Sequence, residues 1–203
     1  MGRLSEIYDM FAATYHKNRG LFDVSAILAE FDAVIPGSPG RLLDLGCGAG
    51  EPVGRYFLDR GWTVTGVDFS AQMLELTSQY TPEMEAIHAD MRRVAFPENS
   101  FEAITAFYSL FHLPSKDHLD LFRRMHSWLS PSGVALFTYA TEAYTGSPRF
   151  DGTKEFLGQP LYYGHKTVPE LFRDLEEAKL SVISAVNREV GGETFLWVTV
   201  KSA

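Results

Sequence analysis

Leu42-Leu43-Asp44-Leu45-Gly46-Cys47-Gly48-Ala49-Gly50-Glu51-Pro52 reads as a buried strand that runs into a glycine loop and out into a helix. Apolar residues surround Asp44, glycine then takes every second position, and Pro52 suits the first turn of a helix, where its missing N–H is not needed. Glycines let a ligand approach the backbone, and the free N–H groups of a helix start favour a carboxylate or phosphate. The stretch predicts a binding loop at the carboxyl end of a strand.

The same alternation continues on both sides. Arg41–Leu45, Trp62–Val67, Ala103–Phe107 and Val134–Tyr139 are short apolar runs typical of buried strands. Between them, Pro52–Asp59, Ala71–Gln79 after a Ser70 cap and Lys116–Leu129 after a Ser115 cap read as helices. Near-continuous apolar strands separated by helices indicate a parallel sheet covered on both faces. Pro169–Ala178 is a further helix with Leu171, Phe172 and Leu175 on one face. Leu180–Val186 and Thr194–Val200 then flank Gly191-Gly192, which predicts a tight antiparallel hairpin.

Two stretches fall outside this rhythm, Leu4–Val34 and the Gly-, Pro- and Tyr-rich segment 140–166. Long connections without regular structure of their own are often functional. The expected organisation is one domain, with a lid segment over 1–34, a core over 35–139, a second lid over 140–166, and a helix and hairpin over 167–203.

Composition narrows the function. The 203 residues carry 18 Lys+Arg against 26 Asp+Glu, a formal charge of −8. An acidic surface repels phosphate backbones, and Arg92-Arg93 and Arg123-Arg124 are isolated basic pairs, so nucleic acid is not an expected partner. Cys47 is the single cysteine, which rules out an internal disulfide and a CxxC metal or redox site. Neither a secretion signal in Met1–Asn18 nor a long apolar run is present, so the expected setting is the cytoplasm with no membrane span. Acidic and histidine residues show no metal-binding spacing. Monomer and homodimer are both compatible with the sequence.

Spacing separates two ligand classes. A dinucleotide loop needs GxGxxG, but counting from Gly46 places Glu51 at the third glycine, where a carboxylate would repel a pyrophosphate. Asp44 with Gly46, Gly48 and Gly50 instead resembles motif I of the class I S-adenosylmethionine-dependent methyltransferases. Gly66-Val67-Asp68-Phe69-Ser70 is similar to the end of that family's second strand, and Asp68 lies about 20 residues past the loop, as ribose recognition requires. His88-Ala89-Asp90-Met91 resembles the end of the third strand. Phe107-Tyr108-Ser109-Leu110-Phe111-His112-Leu113 resembles the fourth-strand motif, and Ser130-Pro131-Ser132-Gly133 the turn before the fifth strand, with serines in place of a base and a glycine. Ala13-Thr14-Tyr15 is similar to a lid helix.

The resemblance implies a Rossmann-like doubly wound α/β sheet of seven strands, mostly parallel with the last strand antiparallel. It implies S-adenosylmethionine as cofactor, with Tyr15, Asp44, Gly46, Cys47, Gly48, Gly50, Asp68, Phe69, Met73, Asp90, Met91 and Phe107 around it. Asp68 would take the ribose hydroxyls and Asp90 the adenine amino group, with Phe69, Met73 and Met91 about the ring. The candidate group shifts to the aromatic segments for the methyl acceptor: Tyr108, His112, Tyr162, Tyr163 and His165, of which His112, Tyr108 and His165 are candidate proton acceptors.

Each of these has a plainer reading. Asp44 would also suit a helix cap or a pair with Arg41 or Arg55, Asp68 a cap for the helix after Ser70, and Asp90 a surface turn. Cys47 reads as a small filler with no partner that would activate it. The tyrosines of the 140–166 segment suit a packed lid as well as an acceptor pocket, and His88, His118 and His126 read as structural. The family's Asn-Pro-Pro-Tyr segment is absent, since 107–110 reads Phe-Tyr-Ser-Leu, and a small organic acceptor is expected, as in the ubiquinone/menaquinone-biosynthesis-like group the chain resembles. A cofactor-binding sensor or scaffold and a nicotinamide-dependent oxidoreductase are the alternatives.

Overall fold

The computed structural model describes residues 6–13, 20, 22–37 and 39–203. After a helix over 6–13 (α1) come α2 (Ser25–Asp32), β1 (Arg41–Leu45), α3 (Val53–Leu58), β2 (Thr63–Asp68), α4 (Ala71–Tyr80), β3 (Glu85–His88) and β4 (Phe101–Ala106). There follow α5 (His118–Trp128), β5 (Leu129–Tyr139), the single turn α6 (Glu142–Thr145), β6 (Phe150–Phe156), β7 (Gln159–His165), α7 (Val168–Glu177), β8 (Leu180–Val190) and β9 (Glu193–Ser202). Seven strands form one sheet in the order β3-β2-β1-β4-β5-β9-β8, in which only β9 runs antiparallel to its neighbours. This is the doubly wound arrangement expected from the sequence. Among the described residues, no helix is long and apolar enough to cross a membrane.

Successive residues of the central strands feed opposite faces, which is why their sequences are apolar throughout. Leu42, Ala103 and Leu136 pack with Ile27, Phe31 and Phe57 of α2 and α3. Leu43, Ile104 and Phe137, one position along, pack with Leu121, Phe122, Leu171 and Leu175 of α5 and α7. Each of the leucine, isoleucine and phenylalanine side chains among them, removed from water, stabilises the fold by about 1.5–3 kcal/mol.

Local chemistry fixes the ends of several elements. Ser70 caps α4 by accepting from the Met73 N–H at 3.1 Å. At α7, Thr167 and Glu170 form a reciprocal capping box, which also satisfies the Thr167 N–H. Ser115 does not cap α5 as expected, because its hydroxyl and N–H both turn to Asp151, and a 3-10 turn over Ser115–Asp117 precedes the helix. The Ser130–Gly133 turn is looped out within β5: Leu129 pairs with Phe101, and pairing resumes at Val134 opposite Ala103.

The 140–166 segment corrects the expectation that it lacks regular structure. It contains α6 and an antiparallel hairpin, β6–β7, closed by Leu157-Gly158, both with positive φ. That is the backbone twist a two-residue hairpin turn needs. The hairpin meets α1 in a third apolar cluster that includes Ile7, Phe111, Leu161, Tyr163 and Phe195.

Candidate active site

A cavity of about 830 Å³ opens at the carboxyl ends of β1, β2 and β4, beneath α1 and the β6–β7 hairpin. Crevices at this end of a doubly wound sheet are where ligands bind. Asp44, Gly46, Gly48, Asp68, Phe69 and Met73 line one side, whereas Tyr108, Phe111, His112, Tyr163 and Phe195 line the other.

The glycine loop has its shape for three separate reasons. Gly46 (φ +79°) lies so close to the β4 end that a Cβ there would be 2.3 Å from Ser109 Cβ. Ser109 in turn donates to the Leu45 carbonyl at 2.6 Å. Gly50 (φ +79°) is tucked against Thr81, whose hydroxyl a Cβ would meet at 2.0 Å. Gly48 (φ +54°) has nothing within 4 Å of its Cβ position, so there the backbone faces open space.

Two carboxylates flank that opening. Asp68 accepts from the Gly48 N–H at 2.9 Å and the Ser70 N–H at 2.8 Å. Burial still lifts its pKa above the ordinary carboxylate value, against the pull of those N–H groups. Asp44 accepts from the Thr105 hydroxyl at 2.7 Å, and burial pushes its pKa up to about 7. A buried carboxylate pair with raised pKa values, facing a cavity, is prepared for a cation or for hydrogen-bond donors.

The far side is closed by α1. Tyr8 Oη lies 2.8 Å from His112 Nε2, and His112 Nδ1 lies 2.6 Å from the Tyr162 carbonyl. A carbonyl only accepts, so Nδ1 carries the ring proton and Nε2 presents a lone pair to the Tyr8 hydroxyl. Burial lowers the His112 pKa to about 4, which keeps the ring neutral near pH 7. Next along α1, Asp9 accepts from the Ser70 hydroxyl at 2.5 Å. Adjacent residues of one helix thus bond to opposite sides of the cavity.

Residues 42–133 match a family model described as a methyltransferase domain. The Bacillus subtilis (strain 168) protein YqeM is 31% identical over 136 residues, which are 64% of this chain and 54% of that protein. A demethylmenaquinone methyltransferase of Staphylococcus epidermidis is 38% identical over 76 residues, 36% of this chain and 31% of that protein. Among solved structures, the Burkholderia thailandensis 1,6-didemethyltoxoflavin-N1-methyltransferase, with its substrate and S-adenosylhomocysteine bound, superposes with a TM-score of 0.70 at 21% identity, covering 97% of this chain and 87% of that one. The match to the family model covers a little under half of the chain, and the likeness to the solved structure shows a shared fold. The chain spans about half or less of the length of the curated relatives named here.

Of the residues expected from the sequence, Asp44, Gly46, Cys47, Gly48, Asp68, Phe69, Met73 and Phe107 all line the cavity, as do Tyr108, His112 and Tyr163. Cys47 is buried with its thiol pKa raised by burial, so it is a protonated filler against Gly66. Five of the expected residues lie outside the cavity lining. Gly50 is turned to Thr81 and does not line the cavity. Asp90 is held by the Arg92 guanidinium at 2.9–3.2 Å, Arg92 also reaching Asp117, and the Asp90 carboxylate is not part of the lining. Met91 is packed in the core with Leu45 and Val67. Tyr162 donates its hydroxyl to Asp151 and contributes only its carbonyl, to His112. His165 is buried beside α6, with Nε2 on the Thr145 hydroxyl at 2.7 Å. Tyr15 lies outside the described residues.

The cavity also uses residues the sequence reading passed over: Tyr8, Phe11, Glu193 and Phe195. Tyr8 and Phe11 sit three apart and so share one helical face, which is the one signal that marked them. Glu193 and Phe195 share a parity on β9 directly after the Gly191-Gly192 turn, and nothing in their neighbourhood distinguishes them from ordinary strand residues.

Proposed function

We propose that the chain transfers a methyl group from S-adenosylmethionine to a small organic acceptor. The observation that supports this best is a single cavity with two unlike sides, one a glycine loop between buried carboxylates and the other aromatic with a neutral histidine. The open backbone at Gly48 leaves room for a nucleoside, and the Asp68 carboxylate suits the ribose diol. Asp44 suits the ammonium of the methionine portion, and Phe69 and Met73 the adenine.

When bound, the cofactor supplies an electrophilic methyl on a sulfonium sulfur. The protein's contribution is then chiefly positioning and exclusion of water, since a fixed in-line approach removes orientational entropy before reaction. For an acceptor that must lose a proton, Tyr8 can receive it at its oxygen as its own proton passes to His112 Nε2. The resulting imidazolium is disfavoured by burial, so His112 holds the proton only in passing. The acidic surface supports a small molecule over nucleic acid, and a lone buried thiol suits the cytoplasm.

Calorimetric titration with S-adenosylhomocysteine and NAD, followed by methyl transfer from labelled cofactor to phenols, amines, thiols and carboxylates, tests the proposal. Binding of the homocysteine compound alone and labelling of at least one acceptor class are expected. Binding of NAD alone would reverse the assignment, and binding without transfer across the panel would favour a sensor or scaffold.

A pH dependence follows from Asp44. Its carboxyl, near 7 when free, must be ionised to pair with the cofactor ammonium, so binding releases a proton. Affinity for S-adenosylhomocysteine is expected to level off above about pH 7 and to fall toward tenfold per pH unit below it. In Asp44→Asn the titration should show weaker binding and lose that slope. A wild-type affinity flat from pH 5.5 to 8 would contradict the placement of the ammonium.

A further inference from the structure

Glu193 stands out once the cofactor side is assigned. It comes two residues after Gly191 at the closed end of the β8–β9 hairpin, which brings it to the aromatic side of the cavity. One carboxylate oxygen accepts from the Tyr144 hydroxyl at 3.2 Å, and that hydroxyl is also 3.0 Å from Tyr163 Oη. Tyr144 and Phe195 rings lie 4.5 Å apart, and Phe195 is stacked on Phe111 at 4.8 Å. The Tyr108 hydroxyl is buried with no hydrogen-bond partner among the described residues. Glu193 adds to the upward shift that burial imposes on the Tyr8, Tyr108, Tyr144 and Tyr163 phenols, so its charge is felt on every side of the chamber.

No cation balances it from the wall. Among the described residues lining the cavity there is no Lys or Arg, while Asp44, Glu51, Asp68, Glu155 and Glu193 are all present. Lys154, whose charge reaches Glu193, keeps its Nζ on the Tyr144 carbonyl and over the Tyr144 ring at 4.2 Å. Burial raises the Glu193 pKa, against the pull of the Tyr144 hydroxyl and the Lys154 charge.

We infer that Glu193 selects a cationic acceptor: the methyl acceptor is a small alkyl or arylalkyl amine that binds as an ammonium paired with this carboxylate, its apolar body among the Phe111, Tyr163 and Phe195 rings. The ammonium passes one N–H proton to the carboxylate, and the freed nitrogen lone pair takes the methyl as the methyl–sulfur bond breaks. An ammonium gains both from the carboxylate and from the negative faces of the rings. A carboxylate or phosphate ester would meet only like charge, and a neutral alcohol would bring Glu193 no opposite charge. The inference deepens the proposed function and rests on it.

The test uses the full chain saturated with S-adenosylhomocysteine, whose binding is measured first, so that failure of the cofactor assignment shows separately. Benzylamine, phenethylamine and tryptamine are then titrated beside the alcohol and the carboxylic acid of each skeleton. At least one amine is expected to bind tenfold or more tightly than its alcohol, with the acid weaker still. Glu193→Gln, shown to be folded by its melting temperature, should reduce that preference to within about twofold. An alcohol or acid that binds as well as its amine, a preference that persists in Glu193→Gln, or no binding by any of the three amines would each overturn the inference.

Discussion

Asp68→Ala is expected to weaken S-adenosylhomocysteine binding by roughly 2 kcal/mol or more, about thirtyfold, in calorimetric titration. Two charge-assisted hydrogen bonds to the ribose diol would be lost together, and such bonds are about twice as strong as neutral ones. The loss also reaches the loop, because Asp68 is the acceptor for the Gly48 and Ser70 N–H groups. Asp68→Asn separates the two contributions. Its amide oxygen still accepts one N–H but carries no charge, so it should keep the loop in place and remain impaired in binding. Affinity within threefold of wild type in Asp68→Ala would show that the nucleoside is not held at the tip of β2.

Gly46→Ala should have the largest effect on the fold. The position has φ +79°, which costs an L-residue about 1–2 kcal/mol, and its Cβ would overlap Ser109 Cβ at 2.3 Å. Neither side yields easily: Ser109 is bonded to the Leu45 carbonyl, and the Gly46 N–H donates to the Val67 carbonyl at 2.7 Å. A loss on the order of 2–4 kcal/mol in urea unfolding is expected, together with loss of cofactor binding. Gly48→Ala is the control, since it has a positive φ but empty space around the Cβ, and should cost only about 1 kcal/mol. Equal effects at the two positions would mean that backbone strain alone, and not the contact with β4, fixes the loop.

The central sheet was legible because β1, β2, β4 and β5 are covered on both faces, and burial on both sides leaves continuous apolar runs. The β6–β7 hairpin was not. Its first strand alternates between half-buried and exposed, carries Gly152, and joins a partner containing Pro160 through Leu157-Gly158, which lacks the Asn-Gly or Asp-Gly pair that marks such turns. Asp44 and Asp68 were legible because glycine spacing fixes where a strand ends. Asp90 obeyed the same rule, but Arg92, two residues later, takes its carboxylate through geometry that a linear pattern does not contain. His112 lies beside the cavity just past the end of β4, while the partner that defines its tautomer, Tyr162, supplies a backbone carbonyl and therefore left no trace in side-chain identity. Glu193 is reached only through the register of β8 on β9, which no local motif encodes.

The two bonds made by neighbouring residues of α1 bear on turnover. Asp9 is tied to Ser70 at the head of α4, and Tyr8 to His112 across the cavity, so neither tie can slacken far without the other. If the two sides of the cavity hold cofactor and acceptor as proposed, one helix covers both. Under the proposed function, release of a methylated product past that helix would also uncover the spent cofactor, and unlatching on the microsecond-to-millisecond scale of such motions would set a ceiling on how fast successive cycles follow.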